Sequence, residues 1–301
     1  YQILASLDVG RRQVELEGFE LVQKQIEMAM VLRQQIQSHP LLSKYFKILT
    51  VGDMIPPNHR QSGIKKYYDP EAGWQDIWKA WEDDEFCLDA TRVTLSVGKT
   101  GLDGELFKNE MLMDKFGIQI NKTSRNTVLF MTNIGTTRSS IAYLIGVLVR
   151  IAKDLENRDE DRNSTERIVH EKNIKSLTQD LPPLPDFSKF HDAFRPEGRK
   201  TTPEGKIRKA YFLAYSENNC EYLSLDDGTL EDAMKGSRDV VSTSFIIPYP
   251  PGFPILVPGQ VISKQIIEFL KKLDVTEIHG YRPELGIRVF KEKILKEQLL
   301  K

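Results

Sequence analysis

Arg92-Val-Thr-Leu-Ser-Val97, Asp103 to Phe116, Gly117-Ile-Gln-Ile120, Thr127-Val-Leu-Phe-Met131 and Thr137 to Leu155 make up the stretch that decides the fold. The β-branched residues of 92–97 and 127–131 favour extended chain, and 117–120 reads as a third, shorter strand. Between and after them, 103–116 and 137–155 carry apolar residues at helical spacing. Strands alternating with helices specify an open α/β layer in which helices cover a sheet. The apolar stripe on Thr137 to Leu155 is then core. The connection Gly98-Lys-Thr-Gly-Leu-Asp-Gly104 looks superficially like a phosphate loop. It lacks the ordered G-x-x-x-x-G-K-[ST] arrangement, so a strand-to-helix turn with Asp103 as helix cap is expected.

Working outward toward the N-terminus, Val14, Phe19, Val22, Ile26, Met30 and Ile36 recur between charges and predict a helix over Gln13 to Gln37, ended by His39-Pro40. The opening Tyr1-Gln-Ile-Leu-Ala reads like the interior of a fold, which marks the chain as a fragment or a processed chain. Val51 to Trp81, rich in Pro, Gly, Tyr and Trp, reads as loops with short elements. Toward the C-terminus, the charged stretch Glu156 to Glu171 reads as a solvated connection, and Leu181-Pro-Pro-Leu-Pro185 forces extended chain. Strands are expected at Lys209 to Ala214, Val240 to Ile247, Thr276 to Gly280 and Gly286 to Phe290, with helices at Leu230 to Met234 and Ser263 to Leu273. The prolines of Ile247-Pro-Tyr-Pro-Pro-Gly-Phe-Pro-Ile255 are incompatible with a helix or a central strand and require a shaped loop.

A chain of 301 residues holds about two domains. With 42 basic against 43 acidic residues the net charge is -1, which offers no broad positive field to a nucleic acid or an anionic membrane. The longest apolar runs fall short of the roughly 20 residues a membrane span needs. Two cysteines, Cys87 and Cys220, supply neither a disulfide framework nor a metal-ligand pair, which fits reduced cytosol and a cytoplasmic location. The five histidines share no ligand spacing, so no metal site is expected.

Two features remain open between binding and plain structure. Lys122 and Arg125 fall between two short strands, where binding groups are often placed, and a polar turn accounts for them equally well. Tyr249 is held between Pro248 and Pro250, which suits a ligand wall or a packed corner.

Several of these segments also carry a likeness. Tyr1-Gln-Ile-Leu-Ala-Ser-Leu-Asp8, Arg92-Val-Thr-Leu, Gly117-Ile-Gln-Ile-Asn-Lys-Thr123, Val128-Leu-Phe-Met-Thr-Asn-Ile-Gly135 and above all Ile247-Pro-Tyr-Pro-Pro-Gly-Phe-Pro-Ile-Leu-Val-Pro-Gly259 resemble the bacterial ornithine/lysine/arginine decarboxylases. The resemblance implies pyridoxal 5'-phosphate as cofactor and the aspartate aminotransferase fold, α/β with an α+β C-terminal part. It also implies domain limits: 1–50 the end of the large domain with a connecting helix, 51–156 a small α/β domain, 157–185 a linker, 186–301 a C-terminal decarboxylase domain.

In that family the cofactor lysine directly follows a histidine, and no His-Lys pair occurs in this sequence. The chain therefore resembles the C-terminal half of such an enzyme, inactive by itself, with an N-terminal large domain and a homo-oligomeric assembly as its partners. The implied reaction takes arginine, lysine or ornithine to carbon dioxide and an amine that feeds polyamine synthesis. Asn121 stands where well-known members carry a glutamate that faces the substrate's distal amino group, and Tyr249 matches a tyrosine that lines the substrate pocket. The alternatives implied are a non-catalytic decarboxylase-like regulatory subunit and another pyridoxal-phosphate reaction on the same fold.

Overall fold

The computed structural model describes residues 1–300 except 70, 72, 75–76, 121, 181–184, 186–188, 196–204, 226, 237, 250–251 and 274–276. The chain packs as two compact units, Tyr1–Leu181 and Pro182–Lys301. Each is described by itself.

The first unit begins with α1 (Gln2–Ser38) and α2 (Pro40–Tyr45), divided at His39, whose Nδ1 accepts the Leu42 N–H. The predicted helix over 13–37 is present but starts eleven residues earlier. The reading of Tyr1 to Ala5 as fold interior is corrected: Tyr1, Ile3, Leu4 and Leu7 are exposed, because only the far third of α1 meets a core. There Met28, Leu32 and Ile36 are buried, and Arg33 donates to the Ala90 and Arg92 carbonyls at 2.7 Å each. Burial lowers the Arg33 pKa to about 10, with Tyr67 and Asp89 opposing the fall.

Next come β1 (Lys47–Ile48), α3 (Val51–Met54), β2 (Tyr68–Asp69), β3 (Gly73–Trp74) and α4 (Ile77–Asp83), the loops with short elements that the composition predicts. The sheet is completed by β4 (Arg92–Ser96), β5 (Lys122–Thr123) and β6 (Thr127–Met131), in the order β1-β4-β6-β5 with every pair antiparallel. Between β4 and β5 runs one helical rod: α5 (Gly104–Leu106), a π-helical stretch Phe107–Met113, and α6 (Asp114–Phe116). The expected strand at 117–120 is absent, and the next described strand is Lys122–Thr123. Gly117 ends the rod by closing back, its N–H donating to Met113 O at 2.9 Å.

The stripe on α7 (Arg138–Asp161) is core as expected, with Ile141, Leu144, Leu148, Ile151 and Leu155 buried against Phe107, Val93 and Leu95. Phe46 meets Phe107 edge to face at 5.7 Å. The charged stretch Glu156 to Glu171 is solvated as expected but helical: α7 continues to Asp161 and α8 (Ser164–Thr178) starts two residues after Arg162. Asn163 and Glu166 form a reciprocal capping box, a signal inside the charged run that starts a helix. Leu181 to Leu184, where extended chain was expected, lie outside the described residues.

In the second unit, α9 (Ile207–Leu213) replaces the strand expected at 209–214. Aromatic Tyr211 and Phe212 give the run a strand-like look, yet Ala210 and Ala214, one helical turn apart, are its buried residues. Then follow β7 (Cys220–Leu223), α10 (Thr229–Lys235), β8 (Ile247–Tyr249), α11 (Lys264–Lys272), β9 (Glu277–His279), β10 (Tyr281–Arg282), β11 (Gly286–Phe290) and α12 (Glu292–Leu299). Sheet order is β10-β11-β7, with β8-β9 separate, and the core gathers Leu230, Ile246, Leu256, Ile266, Ile287 and Val289. The expected strand over 240–247 resolves into single bridges, Val241 to Val261, Ser242 to Val289 and Ile246 to Leu256. The proline-rich loop is corrected in part. Ile247 to Tyr249 form a strand, tolerated because a two-stranded ribbon has no central member for Pro248 to disrupt.

His191 caps the short turn Asp192–Phe194, its Nδ1 accepting the Ala193 N–H at 3.2 Å. Burial pushes this imidazole below its ordinary value; Asp239 and Asp192 pull upward, while Arg195 and Lys189 push down. The unfolded chain therefore takes up the proton first, so stability is held above the ordinary histidine pKa and lost as pH falls below it. Protonation also removes the acceptor that caps the turn. Urea unfolding of the chain should show this loss between about pH 7 and pH 5. His191→Asn, which keeps an acceptor without titrating, is expected to flatten that slope, and an unchanged slope would count against the assignment.

Candidate functional site

The turn after β4 and the turn between β5 and β6 are built against each other. Val97 N–H donates to Asn126 O (2.8 Å) and Gly104 N–H to Arg125 O (3.0 Å). A β-carbon on Gly104 would lie 2.1 Å from Ser124 O and 2.6 Å from Thr127 O, so only glycine permits this approach. The segment 98–104 is the strand-to-helix turn expected. Several of its amides are spent inside the protein, Thr100 N–H on Val97 O, Gly101 N–H on Gly98 O and Leu102 N–H on Thr100 Oγ1. Asp103 caps the rod, its Oδ1 accepting Leu106 N–H at 2.8 Å.

One carboxylate at the head of this rod reaches the segment that carries the candidate site residues. Glu105 Oε2 accepts the Thr123 hydroxyl at 3.0 Å, while Oε1 accepts Lys108 Nζ at 2.6 Å and Asn109 Nδ2 at 3.1 Å. Burial alone would raise its pKa, but the hydrogen bonds from Lys108, Thr123 and Asn109 outweigh it and hold the carboxyl below the usual range. Glu105 is therefore an anion at neutral pH. The sequence reading did not single it out. A carboxylate two residues after a cap is common at helix starts, and its partner lies eighteen positions away.

Asn121 itself lies outside the described residues. Its neighbour Lys122 sits on β5 opposite Leu129, and Thr123 is buried opposite Val128. Arg125 Nη2 donates to Ser176 Oγ at 2.9 Å and Asn126 Nδ2 to Leu177 O at 2.9 Å, so this end of the turn is fastened to α8. For Arg125 the polar-turn reading has a direct structural basis.

In the second unit, Tyr249 pairs with Glu277 and is 54% exposed. Its ring lies 6.3 Å from that of His279 at 70°. Gly252 N–H donates to Pro248 O at 2.9 Å, and a β-carbon on Gly252 would lie 3.0 Å from Tyr249 Cδ2. Asn121 and Tyr249 belong to different units, so the structure describes Tyr249 only within its own.

A shallow pocket of about 320 Å³ opens over the first turns of α8, lined by Arg162, Thr165, Glu166, Val169, His170 and Asn173. Beside it Asp159 Oδ2 accepts the Tyr45 hydroxyl at 3.0 Å, and Oδ1 faces Arg162 and His170. Among the described residues no group of three or more His, Cys, Asp or Glu is placed to hold a metal ion, and no helix is long and apolar enough to cross a membrane.

Comparison with known proteins places these features in context. Residues 1–140 match the family model for the Orn/Lys/Arg decarboxylase major domain, and residues 199–286 match that for the Orn/Lys/Arg decarboxylase C-terminal domain. Arginine decarboxylase of Bacillus subtilis is 24% identical over 91% of this chain and 41% of its own length. Inducible lysine decarboxylase of Escherichia coli is 23% identical over 99% of this chain and 43% of its own. This chain thus spans about two fifths of the length of these relatives. The structure of the E. coli constitutive lysine decarboxylase superposes on 97% of the chain and 43% of that protein, with a TM-score of 0.56 and 20% identity. The lysine decarboxylase of Francisella novicida gives the same TM-score at 18% identity, over 91% of this chain and 40% of that one. Both folds agree with the mixed helix and sheet architecture described above. With the two family models matching in order and covering well over half of its residues, the chain belongs to the Orn/Lys/Arg decarboxylase family.

Proposed function

We propose that this chain supplies the C-terminal part of a pyridoxal-phosphate-dependent decarboxylase that converts a basic amino acid, arginine, lysine or ornithine, to an amine and carbon dioxide. The observation that carries the reading is the ordered match to both parts of one decarboxylase family, with arginine and lysine decarboxylases among the relatives. No His-Lys pair exists in the sequence, and the lining of the pocket over α8 includes no lysine. Cofactor attachment is assigned to a large domain, on the same or a separate chain, within a homo-oligomeric assembly in the cytoplasm.

What this chain contributes on this reading is substrate recognition, by the Asn121-Lys122-Thr123 segment and by Tyr249. The exposed Tyr249 ring offers an apolar wall for an aliphatic side chain, held at low entropic cost by its ribbon. The test is release of labelled carbon dioxide from carboxyl-labelled arginine, lysine and ornithine by the assembled protein with pyridoxal phosphate. Turnover of at least one of them is expected. Release from none, or turnover only with an added keto acid, would overturn the reading.

A further inference from the structure

The face of α1 that meets the core runs on past the core. At about 3.6 residues per turn, Ile3, Leu4, Leu7, Val14 and Val22 fall in the same arc of roughly 120° as the buried Met28, Leu32 and Ile36. Coverage stops near Gln25, whose Nε2 donates to Thr132 O at 2.7 Å while its carbonyl accepts the Thr132 hydroxyl at 3.1 Å. Before that anchor the stripe residues are exposed, from 47% at Val22 to 77% at Ile3. A second apolar side lies across the helix, where Val9 and Leu16 are also exposed, and Phe19, 78% exposed, stands between the two faces. The charges among them are compensated within α1 itself: Arg11 meets Asp8 and Glu15, and Arg12 meets Glu15, at 3.0–3.1 Å. Covering this stretch therefore strands no unpaired charge.

Apolar side chains on opposite sides suit a helix enclosed by a larger body, whereas a helix pair needs one stripe. Area points the same way. From Ile3 to Val22 the stripe is about 30 Å long, so a second copy's helix laid along it would cover on the order of 400 Å² per chain, about half of the roughly 800 Å² that a stable pair buries on each partner. Val9 and Leu16 would stay bare.

We propose that the first two thirds of α1 is the docking surface for the rest of the decarboxylase major domain, which closes over both faces of the helix. The occupant follows from length and order: residues 1–140 match the family model of that domain, and the chain spans about two fifths of the length of its relatives, whose larger part has no counterpart here. The identity of the covering body rests on the decarboxylase reading. The covering itself is measured without turnover.

Cysteine accessibility in the assembled protein is the first test, with Leu7→Cys reporting the stripe and Leu16→Cys the opposite face. Alkylation by N-ethylmaleimide, followed by peptide mass, is expected to run about a hundredfold slower at both sites than in the same proteins unfolded in urea. Rates within tenfold of the unfolded ones at both sites would overturn the proposal, since the helix would then be open to solvent, on the order of the protection expected of an exposed site. Protection of only one site overturns it too, because the cover would be one-sided. A second measurement needs neither cysteine: photo-crosslinking from p-benzoyl-phenylalanine placed at Phe19 in the assembled protein. The joined peptide is expected to carry major-domain sequence that is absent from residues 1–301. A join to another copy of 1–301, to an unrelated protein or to nothing would sink the assignment. Release of carbon dioxide is scored separately. Both faces covered by that domain without any release would remove the reaction and leave the docking surface standing, whereas release with both faces open would remove the docking surface alone.

Discussion

Gly286→Ala is expected to cost the 182–301 unit about 2–5 kcal/mol, a large fraction of what a domain has in hand. Two effects add. At φ 102° a side chain sits in backbone space that L-residues avoid, which costs roughly 1–2 kcal/mol. A β-carbon there would also lie 2.1 Å from Leu223 O, 2.4 Å from Leu223 C and 2.6 Å from Ser224 N. These are main-chain atoms of β7 and the residue just beyond it, so no rotamer change relieves the overlap, and the penalty falls in the overpacking range of about 1–3 kcal/mol or above. A domain commonly has only about 5–15 kcal/mol in hand. Gly63→Ala separates the two effects, since φ there is 73° and nothing lies within 4 Å of the added carbon. It should cost no more than about 1–2 kcal/mol. Urea unfolding by circular dichroism, with amide exchange at 220–223 and 286–290, gives both numbers. A Gly286→Ala protein within 1 kcal/mol of its parent, an order-of-magnitude threshold for a surface change, would show that β7 yields where it is described as fixed.

Asn121→Glu carries the second large effect, on selectivity. On the proposed function this position faces the distal cation of the substrate, and a hydrogen bond to a charged group contributes about 1.5–3 kcal/mol. Realised in the transition state, that is a ten- to hundredfold gain in kcat/KM for substrates with a terminal cation over a neutral analogue such as norleucine. The ratio is the informative quantity, because a general loss of folded enzyme leaves it unchanged. Lys122 follows directly in sequence. Thermal unfolding measured alongside controls for the cost of the added charge. If the ratio among arginine, lysine, ornithine and norleucine stays within twofold in an enzyme that turns over, Asn121 does not read the distal end.

The elements legible in the sequence are those whose own residues determine them. β4 and β6 are β-branched runs, α7 has a complete apolar stripe with Thr137 as cap, and α11 starts at Ser263 as its pattern requires. What escaped notice depends on partners far along the chain. The 117–120 stretch has strand-like residues but nothing to pair with, and α9 wears its aromatic residues outside while two alanines meet the core. The charged run at 156–171 was misjudged for a local reason, the capping box at Asn163 and Glu166 outweighing the solvation that the charges imply. In the candidate site, Asn121 and Tyr249 were reachable only through likeness to a family, since neither residue type announces chemistry. Glu105 was hidden because a hydrogen bond across eighteen residues leaves no trace in spacing.

The 37-residue α1 is not one mechanical object. Its last third is gripped by Met28, Leu32, Arg33 and Ile36, whereas its first two thirds are surrounded by solvent and interrupted by Gly10 and Gly18, each costing up to about 1 kcal/mol against alanine in a helix interior. Most helical stability in proteins comes from tertiary packing of one face, which this stretch lacks within the unit. Packing therefore adds to the backbone hydrogen bonds from Met28 to Ile36 and not along the exposed stretch before it, so amide protection is expected to be highest from Met28 to Ile36. Whatever covers the exposed stretch meets an ordering cost of roughly 1–2 kcal/mol for each residue that it finds unwound. Docking there is thus coupled to helix formation, and affinity at this surface will track helix propensity as much as contact area.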